Sequence, residues 1–229
     1  MNVPPVLVVT GTDTGVGKTV VTAALAASLA PDRSVAVLKP VQTGAASSDP
    51  ADTDEVRRLS GVHTVREGVR LRAPLAPVAA ARLERAQLPP IGAHVTAVNE
   101  LARTHDVVLV EGSGGLLVDL DADGNGLCEL AAATSAAVSF VVVTRPTLGT
   151  LNHSRLTVEA LRARDFPVSG LVVGAVPAEP GLAEQSNLAD LPEVTATPVV
   201  GHVPAGAASL DPLVFRSRAR GWLSLEGRP

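Results

Sequence analysis

Apolar residues gather in short β-branched runs at 6–10, 34–39, 106–111, 138–144, 168–174 and 198–203. Each run is nearly continuous rather than alternating with polar residues, which suits strands covered on both faces. Between them, 18–30, 52–60, 77–87, 92–104, 126–136, 150–164 and 181–190 read as helices. Repeated β-α-β of this kind predicts an α/β fold, a doubly wound and mostly parallel sheet flanked by helices. Pro- and Gly-rich pieces at 73–77, 88–92 and 176–181 read as connections within a single domain spanning 1–229, with no internal repeat and no low-complexity tail. The basic C-terminal "FRSRARGW" reads equally as a helix end or a loosely held tail and receives no assignment.

Composition narrows the function. With 229 residues, 46% of them hydrophobic, the chain can bury a sizeable core. A net charge of −4 without a long run of one sign disfavours nucleic acid as the partner, because backbone phosphates need a concentrated basic face. Aromatics are 2% with no Tyr, so Val, Leu and Ala must fill the core and no stacking platform for single strands is available. Cys128 is the only cysteine. It is expected to be buried and inert, and the lack of an internal disulfide suits a reducing, cytoplasmic setting. The first residues, "MNVPPVLVVT", lack the basic start and apolar core of a signal peptide. No apolar run approaches the about 20 residues that span a bilayer. Of the 19 Lys and Arg residues, only Lys18 and Lys39 are lysines. In so Arg-biased a chain, Lys should persist where a compact ammonium cannot be replaced by a planar guanidinium.

Both lysines fall in segments with candidate chemistry. In "VVTGTDTGVGKTVVTAAL", Gly15, Gly17, Lys18 and Thr19 follow a strand and open a helix, the setting of a P-loop. Glycines let backbone N–H groups approach phosphate oxygens, and the helix N-terminus adds positive potential. Lys18 is expected to bridge the outer phosphates and the Thr19 hydroxyl to hold Mg²⁺. The strict pattern wants Gly where this chain has Thr12, and Gly11 sits one residue early, so the loop is a variant. In "VLKPVQTG", Lys39 stands at the carboxyl end of the second strand, the edge where doubly wound sheets bind ligands. Pro40 is expected to stop that strand, with Gln42, Thr43 and Gly44 forming a polar loop. A solvated strand-end charge is the plainer account of Lys39; the scarcity of Lys favours a functional one.

Acidic residues follow. Asp52, Asp54 and Glu55 lie in a first helical turn, where acids ordinarily complement the helix dipole, though one of them can reach a metal. Glu111 ends the apolar strand of "VVLVEGSGG", and a carboxylate there needs a cation nearby. In "TRPTLGTLNHS", Thr150 and Asn152 offer caps, and the free N–H groups of the helix start suit an anion. On spacing alone, ordinary capping is the plainer account of that segment. His63, His94, His105 and His202 show no metal-ligand spacing, and no Ser-His-Asp set or nucleophile elbow appears.

Taken together, "GTDTGVGKT", "KPVQTG", "VEGSGG" and "LGTLNH" occur in an order and spacing that resembles the dethiobiotin synthetases, P-loop enzymes of biotin biosynthesis, over nearly the whole chain. The resemblance implies a ligase that closes a ureido ring on 7,8-diaminononanoate with CO₂, Mg²⁺ and ATP or another NTP. A substrate amine takes up CO₂ as a carbamate, whose oxygen attacks the γ-phosphate to give a mixed anhydride; the second amine then expels phosphate. By matching motif, Thr14, Gly15, Val16 and Gly17, with Lys18, Thr19 and Val20, would cradle the triphosphate. Lys18 and Lys39 would neutralise the meeting anions, and Thr43 would contact the diamine. Thr19, Asp52 and Glu111 would hold Mg²⁺, with Asp54 the alternative to Asp52. Gly112, Ser113 and Gly114 would line the site. Gly149, Thr150, Leu151 and Asn152 would receive the substrate carboxylate across a homodimer interface. Gly174 and Ala175, with Pro204, Ala205 and Gly206, would lie on the nucleotide side. Some family members carry a base-reading Asn where this chain has Gly174, which leaves base preference open.

Other classes fit less well. Partition and septum-positioning switch ATPases (the ParA/MinD type) carry an additional Lys ahead of the P-loop Lys, at the place occupied here by Asp13. A GTPase would need a base-reading N-K-x-D after a late strand, and "NLAD" at 187–190 lacks the Lys. A cobyrinate-type amidotransferase would normally bring a glutaminase domain, for which the chain is too short.

Overall fold

In the computed structural model, which describes Met1, 3–46 and 48–225, the chain runs β1 (Val6–Gly11), α1 (Lys18–Leu29), β2 (Val35–Gln42), α2 (Asp52–Ser60), β3 (Thr64–Arg70), α3 (Pro77–Glu84) and α4 (Ile91–Ala102). It continues with β4 (Val107–Glu111), α5 (Leu127–Ala133), β5 (Val138–Thr144), α6 (Thr150–Arg162), β6 (Val168–Val176), α7 (Leu182–Thr195), β7 (Val199–Pro204), a 3₁₀ turn at Ala207–Ser209 and α8 (Pro212–Trp222). The strands form one 7-stranded sheet in the order β3-β2-β4-β1-β5-β6-β7. Every named pair is parallel.

The near-continuous apolar strands follow from burial on both faces. Along β1, Leu7 and Val9 face one core with Val21 and Leu25 of α1, Leu59 of α2 and Phe215 of α8. Val6 and Val8 face the other, with Val98 of α4, Leu130 of α5, Val158 of α6 and Leu191 of α7. Cys128 is buried in this second core. Because the strands are parallel, Gly11, Gln42, Glu111 and Thr144 all end at one edge of the sheet. β1 lies between β4 and β5, where the chain's progression across the sheet reverses, and crevices for ligands open at such points. Among the described residues, no helix is long and apolar enough to cross a membrane.

One expectation needs correction, and two segments gain an assignment. Pro40 does not stop the second strand: β2 runs through it to Gln42. Pairing with β4 ends at Leu38, so the missing N–H at Pro40 breaks no bond on that side. An unassigned strand, β3, pairs with β2 at the sheet edge, and its sequence TVREGVR mixes charges with Val because it is only partly buried. The C-terminal segment is the helix α8, capped by Asp211, whose side chain accepts from the Leu213 and Val214 amides, with Phe215 and Ala219 buried. Trp222 meets Phe215 edge-on at 5.1 Å, and Leu223 bridges to Gly201.

Candidate active site

The loop from β1 into α1 is shaped by glycine. Gly15 and Gly17 take left-handed φ values of 74° and 96°, open to glycine at little cost, and Gly17 caps α1. Lys18 is therefore the first residue of α1, and its ammonium donates to the Asp13 carbonyl at 2.9 Å. Burial, together with the nearby Lys39 charge, pulls the Lys18 pKa down to about 8. An ammonium so poised gains most from anionic oxygens.

β2 and β4 deliver the opposing groups. The Lys39 ammonium lies 2.7 Å from Glu111 Oε1 and 2.5 Å from Asp52 Oδ2, and it donates to the Gly112 carbonyl at 3.3 Å. Burial opposes its charge, but the Glu111 and Asp52 carboxylates more than offset this and raise its pKa. The Thr19 hydroxyl donates to the same Glu111 Oε1 at 2.9 Å. Gln42 steadies the start of α2 by accepting from the Asp52 amide at 3.1 Å. Asp54 turns away: it accepts from the Ala51 amide at 3.0 Å and from Arg57 at 3.1 Å, while Glu55 pairs with Arg58.

Lys18, Thr19, Lys39, Gln42, Asp52 and Glu111 line a cleft of about 570 Å³. It brings together Thr14, Gly15, Gly17, Lys18, Thr19 and Val20 with Lys39, Thr43, Asp52, Glu111, Ser113 and Gly114. Among the described residues, no three His, Cys, Asp or Glu side chains converge as a metal cage. Two carboxylates and a hydroxyl do converge. These hard oxygens suit Mg²⁺ in chemical type, and the Lys39 ammonium that lies against both carboxylates would have to share them with the ion.

Other expected site residues lie outside this cleft. Val16 packs into the core, and Gly112 packs against Leu127. Gly174 and Ala175 lie in the last three residues of β6, beside the P-loop: a Cβ on Gly174 would sit 2.3 Å from the Val16 carbonyl oxygen. In this chain the two backbones therefore approach too closely for a side chain at position 174 unless the loop shifts. Pro204 ends β7, the Ala205 amide donates to the Val176 carbonyl at 2.8 Å, and Gly206 opens the 3₁₀ turn with φ 77°. At the start of α6 the cap is Gly149, with φ 90°, not Thr150 or Asn152. Thr150 is buried, and its hydroxyl meets that of Thr144 at 2.6 Å. Leu151 and Asn152 are partly exposed and exposed. Gln42 and the wall from Pro74 to Pro77 also line the cleft. The repeated prolines of "RAPLAP" are the sequence trace of that wall.

A family model described as an AAA domain matches residues 6–212. An ATP-dependent dethiobiotin synthetase BioD from Streptomyces coelicolor is 52% identical over 96% of this chain and 92% of its own length. Its counterpart from Saccharopolyspora erythraea is 55% identical over 96% and 95%. The chain belongs to the dethiobiotin synthetase family. Its fold also resembles that of the septum site-determining protein MinD complexed with Mg-ADP from Pyrococcus horikoshii, with TM-score 0.57 over 98% of this chain and 88% of that one. At 14% identity this likeness concerns the fold alone. The dethiobiotin synthetase relatives differ from it in sequence likeness, at 52% and 55% identity over 96% of this chain.

Proposed function

We propose that the chain is an ATP-dependent dethiobiotin synthetase acting on 7,8-diaminononanoate, CO₂ and a nucleoside triphosphate. The observation that carries this reading is the meeting of the only two lysines, Lys18 and Lys39, with Thr19, Asp52 and Glu111 in one cleft. The reaction joins anions, a carbamate and a triphosphate, so it needs positive charge between them more than an acid–base pair.

The diamine nitrogen bonds to CO₂ and loses a proton, giving the carbamate. Lys39 neutralises carbamate oxygen as that oxygen bonds to the γ-phosphorus and the bond to the β-phosphate oxygen breaks; its burial beside the P-loop lysine supports this role. Lys18 compensates charge on the departing nucleoside diphosphate. The second amine then bonds to the carbamate carbon, the bond from that carbon to the phosphate oxygen breaks with its electron pair leaving on phosphate, the amine gives up a proton that the departing phosphate or water can take, and the ring closes. Thr19, Asp52 and Glu111 would hold Mg²⁺, which supplies charge neutralisation on the phosphates. Thr43 faces the diamine. The Gly149–Asn152 segment, with Leu148 80% exposed just before it, suits the partner side of a homodimer that completes the carboxylate site. With no side chain at Gly174, base selection falls to backbone groups around Ala175 and Pro204–Gly206. A cytoplasmic location fits such substrates.

The test supplies diaminononanoate, bicarbonate, Mg²⁺ and each NTP in turn, and follows phosphate and dethiobiotin. Product formation that requires the diamine supports the reading. NTP hydrolysis equally fast without diamine sinks it and favours a switch ATPase of the MinD kind.

A further inference from the structure

Arg145 plays no part in the chemistry above, yet it is fastened to the nucleotide loop. Successive residues at the end of β5 hold successive residues of that loop. The Val143 carbonyl accepts from the Thr12 amide at 2.9 Å, and the Thr144 hydroxyl accepts from the Thr12 hydroxyl at 3.4 Å. Arg145 Nη2 then donates to Asp13 Oδ2 at 2.5 Å.

Asp13 is a hub. Its other carboxylate oxygen, Oδ1, accepts from the Thr14 amide at 2.7 Å, and its carbonyl accepts the Lys18 ammonium at 2.9 Å. The Thr14 bond, with the Arg145 and His153 charges, holds the Asp13 carboxyl below the usual range. The side-chain direction of Asp13 therefore sets where the Thr14 amide points and where the loop stands as it enters Gly15 and Gly17. Those glycines leave the loop free to wander in φ, and ordering it costs binding energy unless something fixes it beforehand.

We propose that Arg145 is a positioning residue for the nucleotide loop, acting through Asp13 rather than by touching the nucleotide. The proposal rests on the reading of Gly15 to Thr19 as the phosphate cradle. Both partners of the pair are partly exposed, at 40% and 52%, so the effect is modest and screened by salt.

The experiment titrates the full chain with a non-hydrolysable ATP analogue and Mg²⁺, for wild type, Arg145→Ala, Arg145→Lys, Asp13→Asn and the Asp13→Asn/Arg145→Ala pair. Arg145→Ala should raise the nucleotide Kd by up to about fivefold at low salt. The loss should shrink in high salt and be partly rescued by Arg145→Lys, with melting temperature and diamine KM unmoved. In the Asp13→Asn background, Arg145→Ala should add nothing. An unchanged Kd in Arg145→Ala overturns the proposal. So does a penalty that persists in full on Asp13→Asn, which would mean direct contact with the nucleotide, or a Kd change that merely follows a fall in melting temperature. Lys18→Ala is the control: if it leaves nucleotide binding intact, the cradle reading itself fails.

Discussion

Lys39 shows how one side chain acquires a role from its surroundings. It is buried, yet it stays charged because Glu111 and Asp52 lie against it. Removing the ammonium leaves two carboxylates without their shared cation in a site that must admit more negative charge. Lys39→Ala should lower kcat about 10²- to 10³-fold while nucleotide still binds, and Lys39→Arg should also be poor because a planar fork replaces a point charge. Steady-state rates alongside nucleotide titration decide it; near-normal kcat in Lys39→Ala would remove Lys39 from the mechanism. Lys18 leans the other way. Its pKa of about 8 lies below the ordinary 10.5, so between those values the unfolded chain holds a proton the folded chain has released. This group therefore destabilises the fold below pH 8, and the penalty fades as pH rises. For binding the sign reverses, because phosphate wants the charged form. Nucleotide affinity should fall by up to about tenfold per unit above pH 8, with proton uptake on binding, read by calorimetry in buffers of different ionisation enthalpy. Both lysines were legible in the sequence through their scarcity. Arg145 and Gln42 were not: a chain rich in Arg hides a particular one, and an amide steadying a helix start leaves no composition signal.

At the scale of elements, backbone proximity decides more than propensity. The end of β6 runs so close to the P-loop that the Val16 carbonyl occupies the space of a side chain on Gly174. Gly174→Ala should cost about 1–3 kcal/mol by overpacking and weaken nucleotide binding together with stability. Denaturant unfolding and nucleotide titration would test it; a fully stable Gly174→Ala protein with wild-type affinity would show that the loop yields freely. Central elements were legible because burial on both faces writes continuous apolar runs, as in VVLVE of β4. Elements at the margin were not. β3 mixes charges with its two valines because only part of it is covered, and α8 hides Phe215 and Ala219 among arginines. Pro40 misled for a related reason: a proline breaks a strand only where its N–H is needed, and β4 has already ended its pairing there.

For the molecule as a whole, the site lies at the edge of the sheet opposite to Met1 and Ser224. The cleft is built on the carboxyl ends of β1, β2 and β4, whereas α8 starts past the carboxyl end of β7 and runs back across the core. Its far end meets the beginning of the chain, where the Met1 amino group donates to the Ser224 carbonyl at 2.7 Å. Trp222 is the only Trp, and there is no Tyr. Indole emission from this protein is thus a gauge of whether the last helix is docked and is blind to events at the distant mouth of the cleft. Saturating nucleotide should leave the spectrum unchanged, and the shift on heating should report α8 lifting off its neighbours. A stopped-flow trace of ligand binding would need a dye placed elsewhere.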